Sequence, residues 1–147
     1  MSDASLGEQA ILGAIKYQKN DVVMHTDTRL LPRRKATWSS WNYMLQSYTQ
    51  HPPILTYSMN ILQGIKSDVE FCVTLNATNQ IDPQKILGQY EYAHPVFSQA
   101  AMQAQEKWEN INGVNRTWFC GAYWFNGFHE DGVNSALRVV KAMEMQM

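Results

Sequence analysis

The residues of this chain whose types and order lend themselves to chemistry lie close together, in Thr117-Trp118-Phe119-Cys120-Gly121-Ala122-Tyr123-Trp124-Phe125-Asn126-Gly127-Phe128-His129-Glu130-Asp131-Gly132-Val133. An apolar run of β character leads into a loop with glycines at both ends. From about Asp131 the spacing of Val133, Ala136, Leu137, Val140 and Met143 predicts a helix. A strand that delivers a glycine-rich loop to a helix N-terminus leaves several amides pointing one way, where the helix dipole adds partial positive charge. An anionic ligand suits such a place. Gly127 and Gly132 let backbone approach a ligand, while Tyr123, Trp124, Phe125 and Phe128 offer flat surfaces for a conjugated ring. The chemistry suggested is the binding of a cofactor that joins a phosphate to a ring. The plainer reading is a last βα unit whose glycines serve only the turn.

Other constellations carry less. His129-Glu130-Asp131 offers metal-ligand types, but adjacent loop positions point in different directions and no His-x-x-x-His pair accompanies them. His25-x-Asp27 places its two side chains on one strand face, where a hydrogen-bonded structural histidine is the expectation. Cys120 with His129 would make a nucleophile and base, yet a thiol inside an apolar run stays protonated. Cys72 and Cys120 have no Cys-x-x-Cys spacing and read as reduced core residues. No Gly-x-Ser-x-Gly, P-loop or zinc spacing is present, so no metal site and no catalytic acid or base is assigned.

The elements that must position the organising stretch are readable from periodicity. The chain has 147 residues, 45% hydrophobic and 12% aromatic, which suits a globular fold. Its formal net charge of -1 gives no general argument for nucleic acid or a membrane surface. No segment approaches the ~20 apolar residues of a membrane span, and no basic-then-apolar leader is read near Asp3 and Glu8, so a cytoplasmic setting is expected. Leu6 to Ile15 has helical spacing and Asp21 to Thr26 reads as a strand. The basic cluster Arg29 to Lys35 around Pro32 reads as a solvated connection.

Alternation then predicts strands through Trp38 to Leu45, Leu55 to Met59 and Phe71 to Asn76, with a turn over Gln46 to Pro53. Trp41, Tyr43, Leu55, Tyr57, Phe71, Val73 and Leu75 are the expected core face, and the short connections favour antiparallel pairing. Gly88 to His94 is a further strand candidate, and Phe97, Ala100, Ala101, Ala104, Trp108 and Ile111 mark an amphipathic helix. The expected class is α+β: an antiparallel sheet of about four strands with flanking helices, then a C-terminal βα unit. That unit has no other parallel βαβ unit to join within this sequence.

At the organising stretch the chain resembles the C-terminal FAD-contacting segment of flavin-containing amine oxidases and related desaturases. Phe119-Cys120-Gly121 looks like that family's strand end, and Gly127-Phe128-His129-Glu130-Asp131-Gly132-Val133 like its helix start. A wider resemblance, to bacterial predicted NAD/FAD-binding, amine oxidase-like proteins, rests on several segments. They are His25-Thr26-Asp27, Leu30-Leu31-Pro32-Arg33-Arg34, Trp38-Ser39-Ser40-Trp41-Asn42-Tyr43, Thr74-Leu75-Asn76, His94-Pro95-Val96-Phe97 and Trp118 to Tyr123.

The resemblance implies an FAD-dependent oxidoreductase, with residues 1–115 as the substrate-side sheet and helices. Residues 116–147 would then be the last βα unit of an incomplete FAD-binding, Rossmann-type domain. It implies flavin contacts at Gly121, Ala122, Phe128, Glu130, Asp131, Gly132 and Val133, with Gly121 toward the ribityl phosphate and Phe128 near the ring. Ala122-Tyr123 stands where many members carry an acidic residue, and Asp131 where they carry a second glycine.

Because the Gly-x-Gly-x-x-Gly fingerprint occurs nowhere in the sequence, an N-terminal Rossmann-domain chain or self-association is the expected partner, and FAD binding by this chain alone is expected to be weak or absent. The reading from a different class is a non-catalytic binding or interaction module without a cofactor domain.

Overall fold

Ser5 starts the first helix. Its Oγ accepts from the Glu8 amide at 3.2 Å while the Glu8 carboxylate accepts from the Ser5 amide at 2.7 Å, a reciprocal cap that fixes α1 over Leu6–Ala14. The computed structural model describes residues 3–45 and 54–145, and the turn expected over Gln46 to Pro53 lies outside the described residues. The chain forms two compact units, one of residues 1–18 with 94–147 and the other of residues 19–93. None of the described helices is long and apolar enough to cross a membrane.

The class is α+β. Strands β1 (Tyr17–His25), β2 (Trp41–Met44), β3 (Ile54–Ser58), β4 (Cys72–Leu75) and β5 (Ile86–Pro95) form a five-stranded antiparallel sheet in the order β2-β3-β4-β1-β5. That is one strand more than about four. A short helix, α2 (Met59–Gln63), follows β3 and ends at Gly64, whose φ of +66° is the left-handed conformation glycine adopts freely.

The register corrects which face is buried. Trp41 pairs with Tyr57, Tyr57 with Val73, and Val73 with Met24, so the large apolar residues share one face as alternation demands. Yet that face is open, with Trp41 at 56% and Tyr43 at 55% exposure, and Leu55, Tyr57, Phe71, Val73 and Leu75 only half-buried. The buried face carries Thr56, Ser58, Cys72, Thr74 and His25, each at 1% exposure or less. Leu30, Ala77 and Ile81, from the connections after β1 and β4, close over this face and pack with Val23 and Ile54.

The polar face tolerates burial because its groups satisfy one another. Thr56 Oγ1 lies 2.9 Å from Thr74 Oγ1, which lies 2.8 Å from His25 Nε2, and His25 Nδ1 accepts the Asp27 amide at 3.1 Å. Asp27, itself fully buried, is held by the Arg29 side chain and by the Asp82 amide at 2.9 Å. His25 is thus the hydrogen-bonded strand-end histidine expected. Burial pushes the neighbouring Cys72 thiol up to about 12, which leaves it inert.

In the other unit, α1 and α3 (Gln99–Gln105) surround a core of Ile11, Ile15, Ala101, Ala104, Trp108, Ile111 and Trp124. The helix expected from Phe97 to Ile111 stops at Gln105 and continues as a 3-10 turn at Trp108–Asn110. The run Thr117–Cys120 belongs to no strand, which corrects the expected βα unit, and a 3-10 turn at Ala122–Trp124 follows it. Cys120 is exposed rather than a core residue.

The final helix, α4, spans His129–Glu144, beginning two residues before Asp131, with its apolar stripe facing outward. Ser135 is fully buried and Val139 and Ala142 pack on the core, whereas Val133, Leu137, Val140 and Met143 stand 46–54% exposed. Small side chains decide this. A Cβ placed on Gly132 would lie 4.0 Å from the Ala122 Cβ, so the Gly132–Ser135 side of the helix approaches the preceding turn more closely than a leucine stripe permits.

Burial pulls the His25 pKa below its ordinary value, against a smaller opposing pull from Asp27. The unfolded chain therefore takes up this proton more readily, and stability falls as pH drops below about 6.5. Asp27 acts in a lower window, because Arg29 holds its carboxyl well below the usual range and its contribution is lost only below about pH 4. Urea denaturation should therefore show lower stability at about pH 5 than at about pH 7. His25→Gln should be less stable at neutral pH but lose less across that interval; equal losses in both proteins would contradict the assignment.

Candidate functional site

The loop and helix start that carry the flavin resemblance are built from the Trp108–Asn112 corner outward. Asn112 is buried; its Nδ2 donates to Trp108 O at 2.8 Å and its Oδ1 accepts the Phe119 amide at 2.6 Å. Trp108 Nε1 donates to Phe119 O at 3.3 Å. Two residues earlier, Thr117 donates to Val114 O at 2.9 Å and accepts from Gly113 at 3.0 Å. Two residues later, the Gly121 amide donates to Ser135 Oγ at 3.1 Å and Gly121 O accepts from Trp124 at 3.2 Å. Every second residue of this run is therefore tied inward at both its N–H and its C=O.

The alternate residues are not. Among the described residues, no hydrogen-bond partner meets the backbone N–H or C=O of Trp118 or of Cys120. The run thus has one side satisfied by side chains and local turns, and alternate backbone groups left without a partner. Gln105 anchors the turn that follows, with Nε2 donating to Tyr123 O at 2.8 Å and Phe125 O at 2.7 Å.

Six of the seven residues expected to touch a flavin separate into two sets. Phe128, Glu130 and Val133 are exposed around the first turn of α4, and Gly132 beside them is partly buried, with room for a Cβ at 4.0 Å from the Ala122 Cβ. Gly121 and Ala122 turn instead to the chain's own packing. Gly121 has φ +153°, and a Cβ there would sit 2.4 Å from the Tyr123 ring, so the space its missing side chain leaves is used by Tyr123. Gly127, at φ +89°, is approached in the same way by the Phe97 ring.

Asp131 decides the electrostatics. Its Oδ2 accepts the Phe128 amide at 2.9 Å and the Asn126 amide at 3.2 Å, so a carboxylate of the chain occupies the loop amides that an anionic ligand would use. Gly132 N–H closes onto Phe128 O at 3.2 Å within the helix. The arrangement therefore suits contact with an uncharged ring edge better than capture of a phosphate. The unpartnered backbone groups at Trp118 and Cys120 and the role of Asn112 were not foreseen; the break at Asn112-Gly113 was their only sequence signal.

Neither a scan of protein-family models nor a search of curated proteins returns a match to this chain.

The two glycines at the ends of this site should respond oppositely to alanine. Gly121→Ala must displace the Tyr123 ring and strain the backbone, and thermal unfolding should report a loss of about 1–3 kcal/mol. Gly132→Ala meets no obstacle and gains helix propensity, so it should be neutral or stabilising by about 0.5–1 kcal/mol. Equal destabilisation by both would contradict the placement of α4 against the turn.

Proposed function

We propose that this chain is the C-terminal part of an FAD-dependent oxidoreductase of the amine oxidase-like kind, working with a Rossmann-type domain supplied by another segment or chain. The observation that carries the reading is the extended run Thr117–Gly121, whose backbone groups at Trp118 and Cys120 meet no hydrogen-bond partner among the described residues. Such a run, leading through a tight turn to a helix start, could gain a ladder partner from a strand supplied elsewhere and so complete a βα unit. The apolar stripe Val133, Leu137 and Val140 on α4 is a second surface that such a domain would cover. The open aromatic face of the sheet suits the substrate side of such an enzyme.

The residues fit one edge of FAD. Phe128, Gly132 and Val133 would hold the flavin ring edge at the first turn of α4, with Gly132 allowing close approach. When bound, FAD supplies the hydride-transfer chemistry. Asp131 leaves no place for the diphosphate at this helix, so a glycine-rich loop of the partner domain must hold it. The same capping, with Tyr123 filling the space at Gly121, is what favours the second reading, a non-catalytic interaction module.

The absorbance spectrum separates the two. Purified alone, the chain should be colourless and bind FAD more weakly than ~1 μM, because several charge-assisted phosphate bonds worth about 1.5–3 kcal/mol each are lacking. Purified with a co-encoded polypeptide bearing the glycine fingerprint, it should be yellow, and Gly132→Val should then abolish flavin retention. A colourless complex would leave the interaction module as the reading; a stoichiometrically yellow isolated chain would show that no partner domain is needed.

Light scattering offers an independent check. Two uncovered apolar surfaces should make the isolated chain self-associate or bind a hydrophobic dye, and a clean monomer without dye binding would count against them.

A further inference from the structure

A cavity of about 450 Å³ lies beside the C-terminal half of α4, within the unit of residues 1–18 and 94–147. Residues 138, 141, 142 and 145 line it, and at about 100° per residue they occupy a different flank of α4 from Val133, Leu137 and Val140. It is also remote in sequence from the Phe128–Val133 helix start. Trp108, Trp118, Ala142 and Met145 supply apolar walls. The two indoles pack against each other, with ring centroids 6.1 Å apart and planes tilted by 46°.

Charge at the cavity is organised around Arg138. Its guanidinium carbon lies 4.0 Å from the centroid of the buried Trp108 ring, a cation–π contact that leaves the side chain partly exposed. Glu109 approaches to only 3.8 Å and is 83% exposed, too distant for a hydrogen bond and well screened. Among the described residues no acceptor hydrogen-bonds to Arg138, and no acid pairs with Lys141. Asn112, by contrast, spends both ends of its amide internally.

We propose that this cavity binds a small planar aromatic carboxylate, its ring against Trp118, Ala142 and Met145 and its carboxylate on the Arg138 guanidinium with Lys141 beside it. A guanidinium presents paired donors matched to a carboxylate. With Arg138 and Lys141 positive and Glu109 negative, the local balance is +1, which complements a monoanion rather than a polyphosphate. The volume falls among those of small-molecule sites and admits one or two fused rings. The site does not depend on the flavin reading, and its test contains no flavin.

Calorimetric titration of the intact chain with naphthoate, and with its uncharged amide, tests this. Naphthoate should bind saturably with one-to-one stoichiometry and the amide at least tenfold more weakly. Arg138→Met, which keeps the apolar stem, should weaken naphthoate at least tenfold and leave the amide unchanged. Ala142→Phe, which fills the cavity, should abolish both. Should Arg138→Met fail to fold, Lys141→Met, altering an exposed side chain, should weaken naphthoate several-fold and the amide not at all. No saturable heat at millimolar naphthoate, equal binding of acid and amide, or naphthoate binding undiminished by every folded variant would overturn the proposal.

Discussion

Backbone polar groups in a folded chain must each find a partner, and the run Thr117–Gly121 meets that demand on one side only. Its inward groups are taken by Asn112, Trp108, Gly113, Val114, Ser135 and Trp124. This fixes the rest of its unit. With the Gly121 amide tied to Ser135, α4 is drawn in along its smallest side chains, and the Gln105 amide holds the intervening turn by two carbonyls. The outward groups of Trp118 and Cys120 are open to water or to another strand, and only the second option also covers apolar surface.

The sheet of the other unit turns on a comparable exchange. Burying Thr56, Thr74 and His25 is tolerable because they form a continuous line of hydrogen bonds, each worth about 0.5–1.5 kcal/mol net, where an unpaired member would cost about 1–3 kcal/mol. The opposite face pays for this in exposed aromatic surface. Trp41 and Tyr57 meet edge-to-face at 6.4 Å and remain only partly covered. The sheet thus buries a face of mixed polar and small apolar groups and leaves aromatic surface half-open on the other.

Strand positions and their alternation were legible because a period of two is set by backbone geometry alone. Which face was buried was not. Size and hydrophobicity favoured Trp41, Tyr57 and Val73, but the outcome depended on Leu30, Ala77 and Ile81 covering the other side, contacts between residues far apart in sequence. The orientation of α4 was not legible for a related reason. Val133, Leu137 and Val140 mark an apolar stripe correctly, and the stripe faces outward because Gly132 and Ser135 permit a closer approach on another side. The strand character of Thr117–Cys120 was read from composition, and the run is left without a ladder partner among the described residues.

Asp131 shows how one residue can preserve a shape while changing what it holds. A helix start with loop amides converging on it is anion-binding machinery in general. Here the anion is covalently part of the chain, and its bonds to the Asn126 and Phe128 amides set the loop geometry without any ligand. A phosphate would have to displace a carboxylate whose local concentration is very high. A flavin edge would not, since it needs flat contact at Phe128 and Val133, both of which the capped loop leaves exposed. The capped loop is therefore compatible with ring contact here and phosphate capture elsewhere, and that division of labour is what makes a second, glycine-rich domain necessary to the proposed enzyme.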